Sequence, residues 1–147
     1  MRKLVLVIIS FSLIGCSLMN VSKRQLRAQE AKWNESGVES YSYRLIVATL
    51  SKEDSCDPPR GGFDVVVKSG ETVSFGVCSP SSEAAQQLGT IDAIFETIFQ
   101  VKSEGVPGLE VSFHAEYGFP EYVDVNYSRV YTDHRVQYHV RDFSVQH

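Results

Sequence analysis

The apolar residues of this chain follow two different periods, and this change of period limits the fold more than any other feature. Over residues 90–99 they recur every three or four positions, which predicts an amphipathic helix capped by Thr90. Over residues 40–47, 63–67, 71–77, 109–115, 122–127 and 136–143 they alternate with polar residues, which predicts β-strands. One core helix among about six strands is typical of the α+β class.

A second helix is predicted near the start of the chain, over residues 22–35. Ser22 and Gln25 have the spacing of a capping box, and Gly37 supplies a stop. Leu26 and Trp33 form a narrow apolar stripe. Such a helix either lies against anionic lipid headgroups or docks Trp33 onto the domain, and we favour docking. Its cations are Lys23, Arg24, Arg27 and Lys32.

The alternation gives each strand one apolar face. In the fourth strand, for example, Leu109 and Val111 point one way and Glu110 and Ser112 the other. This pattern predicts an antiparallel sheet that the helix at 90–99 covers on one side. The sheet is therefore expected to have an apolar inner face and a polar outer face.

The hairpin between residues 63–67 and 71–77 has a register that the pattern can decide. A three-residue loop with Gly70 in the left-handed region pairs Phe63 with Phe75 and Val65 with Val73. A two-residue loop would place the apolar residues of the first strand beside Gly or polar residues. We therefore predict the three-residue loop, because it keeps the apolar residues on one face.

The first sixteen residues have the order of an export signal. Two cations precede an apolar run over residues 4–14, and Gly15 and Cys16 follow. The run is shorter than the roughly 20 residues of a membrane-spanning helix, so a transmembrane anchor is disfavoured. Residues 13–16, LIGC, resemble the lipobox of bacterial lipoproteins. This resemblance implies cleavage after Gly15 and lipidation of Cys16; the alternatives are an ordinary signal peptide or an uncleaved anchor.

Cleavage would leave one domain on a short lipid tether. The mature chain would have 132 of the 147 residues, which we divide into a tether of residues 16–21 and a single domain of residues 22–147. Its 12 cations and 18 acids give a net charge of −6, which disfavours nucleic acid as a partner. By similarity to lipoprotein sorting in Gram-negative bacteria, Ser17 implies the outer membrane, on the periplasmic side.

Besides Cys16 the chain has two cysteines, Cys56 and Cys78. In an oxidising compartment such a pair predicts a disulfide rather than a reactive thiol. A zinc site is disfavoured, since the pair is not a CxxC and no second ligand pair lies at usable spacing.

Several motifs together resemble a family of small exported bacterial proteins, many of them lipoproteins, that is catalogued as a domain of unknown function. The resemblance extends from Trp33 to Phe143 and implies the fold and the compartment, without an activity. The motifs are Trp33, Tyr41-Ser-Tyr43, Cys56-Asp-Pro58, the valine-rich hairpin, residues 90–98 and Gly118-Phe-Pro120.

No sequence motif of a known catalytic or cofactor site is present, so no cofactor is predicted and the chain is interpreted as a non-enzyme. The best constellation for chemistry is the polar sheet face. His114, His139, Asp124 and Glu110 could hold a metal or act as a general base if their strands are neighbours. The alternative is that they form an ordinary solvated face.

Aromatic residues concentrate in the last third of the chain, and tyrosine is enriched at protein interfaces. Tyr117, Phe119, Tyr122 and Tyr131 are therefore the predicted binding surface. Two functions remain open: a non-catalytic module that binds an envelope protein, or a carrier or enzyme for a small envelope ligand in a cavity between helix and sheet.

Overall fold

The computed structural model describes residues 20–49, 62–130 and 135–146. It contains six strands and three helices, which confirms the predicted α+β class. The additional helix, α2, lies in the polar stretch 79–89 and is too short to show a period. In chain order the elements are α1 (Lys23–Glu35), β1 (Tyr41–Thr49), β2 (Phe63–Lys68), β3 (Glu71–Phe75), α2 (Glu83–Leu88), α3 (Ile91–Ser103), β4 (Gly108–Phe113), β5 (Pro120–Asn126) and β6 (Arg135–Val145).

All six strands form one antiparallel sheet in the order β3-β2-β1-β6-β5-β4. Helix α3 lies on the inner face, and its apolar stripe is buried from Ile91 to Ile98 as the period predicted, while Phe99 is half-buried. The side chains that form the core between helices and sheet include Leu26, Trp33, Tyr41, Tyr43, Leu45, Val65, Val67, Ile91, Ile94, Phe95, Ile98, Leu109, Val123 and Val125.

The predicted register of the β2–β3 hairpin is wrong. Lys68 pairs with Glu71, so the loop has two residues, Ser69 and Gly70, with φ angles of 50° and 78°. The extra residue lies inside β3 instead, because Val73 is bulged out of the ladder and Val65 pairs with Phe75. The bulge restores the apolar face that the pattern requires, but at a different place from the one predicted.

Two tyrosines of β1 fix the junction between α2 and α3. The hydroxyl of Tyr43 donates to the carbonyl of Leu88 at 2.6 Å, and the backbone N–H of Ile91 donates to the hydroxyl of Tyr41 at 2.9 Å. Burial, the largest effect, raises the pKa of both tyrosines, so both hydroxyls stay protonated. The Tyr-Ser-Tyr motif is therefore a structural element that positions both helices.

Helix α1 begins with the predicted capping box of Ser22 and Gln25, and Trp33 docks onto the domain as predicted. The indole N–H of Trp33 donates to Asp92 of α3 at 3.2 Å. No helix in the described ranges is long and apolar enough to cross a membrane.

The predicted tether is too long at its carboxyl end. Val21 is buried and its N–H donates to the carbonyl of Leu109 at 3.4 Å, while the side chain of Asn20 accepts from the N–H of Leu109 at 3.1 Å. Both residues therefore belong to the domain, because Val21 is apolar and the edge of β4 supplies partners.

Candidate functional site

The outer face of the sheet carries a buried carboxylate. Asp124 pairs with Glu110 of β4 on one side and Gln137 of β6 on the other, and its two neighbours in β5 are valines of the core. Although Asp124 points away from the helices, it is only 3% exposed. A charged side chain with so little exposure requires several polar partners.

Three side chains satisfy Asp124. The Nε of Arg135 donates to Oδ1 at 2.7 Å and to Oδ2 at 2.9 Å, and a second guanidinium nitrogen also donates to Oδ2. The hydroxyl of Tyr122 donates to Oδ2 at 2.7 Å, and the amide of Gln137 donates to it at 2.9 Å. Gln137 also donates to the Tyr122 hydroxyl at 3.1 Å. We call these four residues the Asp124 cluster.

The hydrogen bonds of the Asp124 cluster keep Asp124 and Arg135 ionised. Burial raises the pKa of the Asp124 carboxyl, but hydrogen bonds from Arg135, Tyr122 and Gln137 outweigh it and hold that pKa below its usual value. The hydrogen bond to Asp124 raises the pKa of Arg135. Burial and the same carboxylate raise the pKa of Tyr122. The cluster is therefore a fixed ion pair with a neutral phenol beside it.

An open depression lies next to the cluster, with a volume of about 470 Å³. Its position follows from a β-bulge: Ser112 pairs with Tyr122 but Phe113 pairs with Pro120, so Glu121 is an extra residue in β5. The bulge brings Glu121 to the depression together with Tyr122. The lining residues are Ser112, Glu121, Tyr122, Gln137, His139, Val140 and Arg141.

His139 is the titratable imidazole of this depression. Its ring centroid lies 4.6 Å from that of Tyr122. Burial and then the charge of Arg141 lower the pKa of His139, while Asp124 opposes them. A neutral imidazole, a phenol and an exposed guanidinium therefore share one surface, which suits hydrogen bonding and aromatic contact with a bound group.

The four residues predicted to converge for metal or base chemistry do so only in part. Asp124, Glu110 and His139 lie on the outer face, but Asp124 is occupied by its cluster. His114 is elsewhere: β4 ends at Phe113, and the His114 ring stacks on Phe119 at 4.6 Å. In the described part of the chain, no three His, Cys, Asp or Glu side chains are placed to hold a metal ion.

The predicted aromatic surface is wrong for Phe119. This side chain is 1% exposed because it packs between Trp33 and Phe143, with ring centroids 6.0 and 4.5 Å away. Tyr117 is half-buried against Phe143, in the same group of packed aromatic rings. Tyr122 lies on the outer face, so the predicted residues do not form one surface.

The Gly-Phe-Pro motif has a structural role. Gly118 has a φ of 79°, and a Cβ at this position would come within 2.8 Å of the Gln29 carbonyl oxygen of α1. The Lys32 ammonium donates to the carbonyl of Ala115 in the same turn. Gly118 therefore lets the β4–β5 turn lie against α1, and Phe119 follows it into the core.

Four predicted site residues lie outside the described ranges: Gly15, Cys16, Cys56 and Tyr131. Cys78 is half-buried next to β3, and its backbone N–H donates to the carbonyl of Phe75 at 2.9 Å. The Cys56–Cys78 disulfide and the lipidation of Cys16 stay predictions.

Arg135 and Gln137 are site residues that no sequence signal singled out. Gln137 lies in the predicted strand 136–143, on its polar face, whereas Arg135 lies just outside that predicted strand. In the structure β6 begins at Arg135, so both side chains occupy alternate positions of one strand, as Tyr122 and Asp124 do in β5. Only the register, which pairs Asp124 with Gln137 and Asn126 with Arg135, brings Arg135 diagonally next to Asp124.

These features define an α+β protein with a covered inner sheet face and an ordered polar outer face. The chain belongs to a family of unknown function, DUF6174, whose pattern it matches over residues 25–145. This confirms the predicted membership of a domain-of-unknown-function family. No curated protein and no solved structure matches the chain.

Proposed function

We propose that this chain is a lipoprotein of the cell envelope that binds another envelope protein through the outer face of its sheet, without catalysing a reaction. The export signal and the lipobox-like residues 13–16 support an anchor at Cys16. Ser17 supports an outer-membrane location facing the periplasm, by analogy with lipoprotein sorting. We also expect a Cys56–Cys78 disulfide, which two free thiols on alkylation of the unreduced protein would contradict.

The observation that supports a binding role is that the polar side chains of the outer face are already held in fixed positions. Tyr122, Arg135 and Gln137 are held by hydrogen bonds to Asp124 before any partner arrives. Side chains that are already fixed lose less conformational entropy on association. Exposed Ser112 and Arg141 lie at the edge of the ordered cluster, and Tyr and Arg are enriched among residues that dominate binding energy.

The shape of the depression favours a protein over a small molecule. Small-molecule sites usually enclose most of the ligand surface. The depression here lies on a sheet face and is open to solvent, so it would leave a small ligand largely uncovered. A protein loop brings its own surface as cover and needs only such a shallow site.

A carrier or enzyme for a small ligand is the second candidate. Its support is the volume of about 470 Å³ and a lining that includes Glu121, His139 and Arg141. The interface between helix and sheet gives it no support, because buried Leu45, Ile94 and Phe95 fill that interface.

The test is site-specific photocrosslinking in intact cells. A photoreactive amino acid at Ser112, which is exposed in the depression, is expected to give one discrete protein adduct. The same probe at Glu96, exposed on α3 on the opposite side of the sheet, serves as the control. Equal adduct patterns at both positions would contradict a binding role for the outer face.

Charge variants sharpen this test. Arg141→Gln is expected to reduce the Ser112 adduct about fivefold or more, as for a residue that contributes strongly to an interface. Lys68→Gln, which removes an exposed cation from β2, should leave the adduct unchanged. A co-purifying small-molecule mass in native mass spectrometry, together with no adduct at Ser112, would instead support the carrier or enzyme.

A further inference from the structure

We propose that one end of the molecule, which we call the tether end, is seated on an anionic phospholipid surface. The inference rests on the lipid anchor proposed above and adds how the domain is oriented on the membrane. The tether end consists of Asn20, Lys23, Arg24, Arg27, Tyr127, Arg129 and Val130.

The chain between the lipid and the fold is short. Asn20 and Val21 are bound to Leu109 at the edge of β4, so the fold begins four residues after Cys16. A fully extended chain spans at most about 3.6 Å per residue. Asn20 therefore stays within about 14 Å of the acylated cysteine, which keeps this end of the domain close to the headgroups.

Exposed apolar and tyrosine side chains lie at the same end of the molecule. Gly108, which precedes Leu109, pairs with Asn126, so residues 127–130 emerge beside the site where Asn20 is bound. Val130 is 80% exposed and Tyr127 is 45% exposed. Apolar and tyrosine side chains are favoured at the membrane interface, where they leave water.

The start of α1 is positively charged. Lys23, Arg24 and Arg27 are exposed at its start, and none of them forms an ion pair with any described residue. The first turn of α1 contains no acid, although the helix dipole favours acids there. The Arg27 guanidinium lies over the Phe99 ring, 5.5 Å from its centroid, but no such contact with a described residue explains Lys23 and Arg24. Anionic headgroups would complement these two cations.

The overall charge supports the same orientation. The mature chain would carry a net charge of −6, so most of its surface is repelled by an anionic bilayer. A local group of cations at the attachment point is the part that is attracted. The β4–β5 turn, with exposed Glu116, then lies roughly 20 Å further from the membrane, at about 3.4 Å per strand residue.

The experiment uses the lipidated full-length mature protein in phosphatidylcholine vesicles, with and without phosphatidylglycerol. A photoreactive amino acid is placed at Val130 and, as the control, at Glu116, and crosslinks to lipid are counted by mass spectrometry. With phosphatidylglycerol, the yield at Val130 should exceed that at Glu116 more than fivefold. Each cation near such a surface changes association about fivefold, so Arg24→Gln should lower this ratio and Lys68→Gln should not.

The possible outcomes test the anchor, the orientation of the domain and the anionic character of the surface separately. The intact mass of the protein shows separately whether Cys16 is acylated. A Cys16 without acyl chains would overturn the anchor and this orientation together. Acylated protein with equal yields at Val130 and Glu116 would overturn the orientation alone and leave the anchor standing. A ratio that is unchanged when phosphatidylglycerol is omitted, or at high salt, would overturn the anionic character of the surface.

Discussion

Arg135 donates through Nε to both carboxylate oxygens of Asp124, at 2.7 and 2.9 Å, and so joins β5 to β6 on the outer face of the sheet. The same carboxylate accepts from Tyr122 and Gln137. One buried charge therefore fixes three side chains of the proposed binding face. A change that removes the charge should affect both stability and the order of that face.

Asp124→Asn is expected to lower the free energy of unfolding by about 1–3 kcal/mol. The amide keeps the size of the side chain but presents only one acceptor oxygen to donors that now hold a carboxylate. The control is Asp64→Asn, which removes an exposed ion pair with Arg44 and should change stability by less than about 1 kcal/mol. Urea denaturation measures both, and equal losses would show that the cluster contributes no more than a surface pair.

The stability of the protein should also depend on pH through the charge of Asp124. The pKa of Asp124 lies below its ordinary value of 3.8 in the folded protein, so the folded state favours the carboxylate. The resulting stabilisation is fully present above about pH 4 and is lost as the pH falls through the lower folded-state pKa. Acid should therefore destabilise the native protein more steeply than Asp124→Asn in urea titrations from about pH 6 to 2. Parallel curves would contradict this assignment.

The elements with a clear period could be predicted from the sequence. Helix α3 has five apolar residues on one face, and its start at Thr90 is fixed by a side chain that accepts from the Ala93 N–H. The capping box of Ser22 and Gln25 likewise marks the start of α1. These signals are local, so no knowledge of the partner strands is needed.

The candidate site depends on the pairing register of neighbouring strands, which the sequence pattern alone does not predict. The bulges at Val73 and Glu121 each shift the pairing of neighbouring strands by one residue. One such shift moves Glu121 to the depression, and the end of β4 at Phe113 places His114 among aromatic rings. Alternation alone put His114 and His139 on one face because it assumes regular strands.

The buried hydroxyl of Tyr43 gives a further prediction. Tyr43→Phe removes the donor to the Leu88 carbonyl and should lower the free energy of unfolding by about 1–2 kcal/mol, because that acceptor loses its partner. Tyr127→Phe removes a hydroxyl from a side chain that is about half exposed and should change stability by less than about 0.5 kcal/mol. Thermal or urea unfolding of the two variants measures the difference. Equal effects would mean that the bond does not position α2.

Substitutions at two glycines can distinguish the destabilisation caused by backbone strain from that caused by steric overlap. Gly37 and Gly118 both have positive φ, at 65° and 79°, but a Cβ meets nothing within 4 Å at Gly37 and comes within 2.8 Å of the Gln29 carbonyl oxygen at Gly118. Gly37→Ala should therefore destabilise by about 1 kcal/mol through strain alone. Gly118→Ala should destabilise more, because the turn must also move away from α1. Equal losses in urea unfolding would show that the turn can shift without penalty.

The first turn of α1 offers a test in which stability and membrane seating move in opposite directions. Arg24→Glu places an acid near the positive end of the helix dipole and within reach of Arg27 on the next turn, so the free energy of unfolding should rise by about 0.5 kcal/mol. The same variant reverses a charge of the tether end, so the lipid crosslinking ratio between Val130 and Glu116 should fall. Glu83→Gln in α2 is the matched control: it removes an acid from a helix start, should slightly lower stability, and should leave the crosslinking ratio unchanged. If Arg24→Glu instead lowered stability, the cation would have a structural partner, and its position would no longer require an anionic surface.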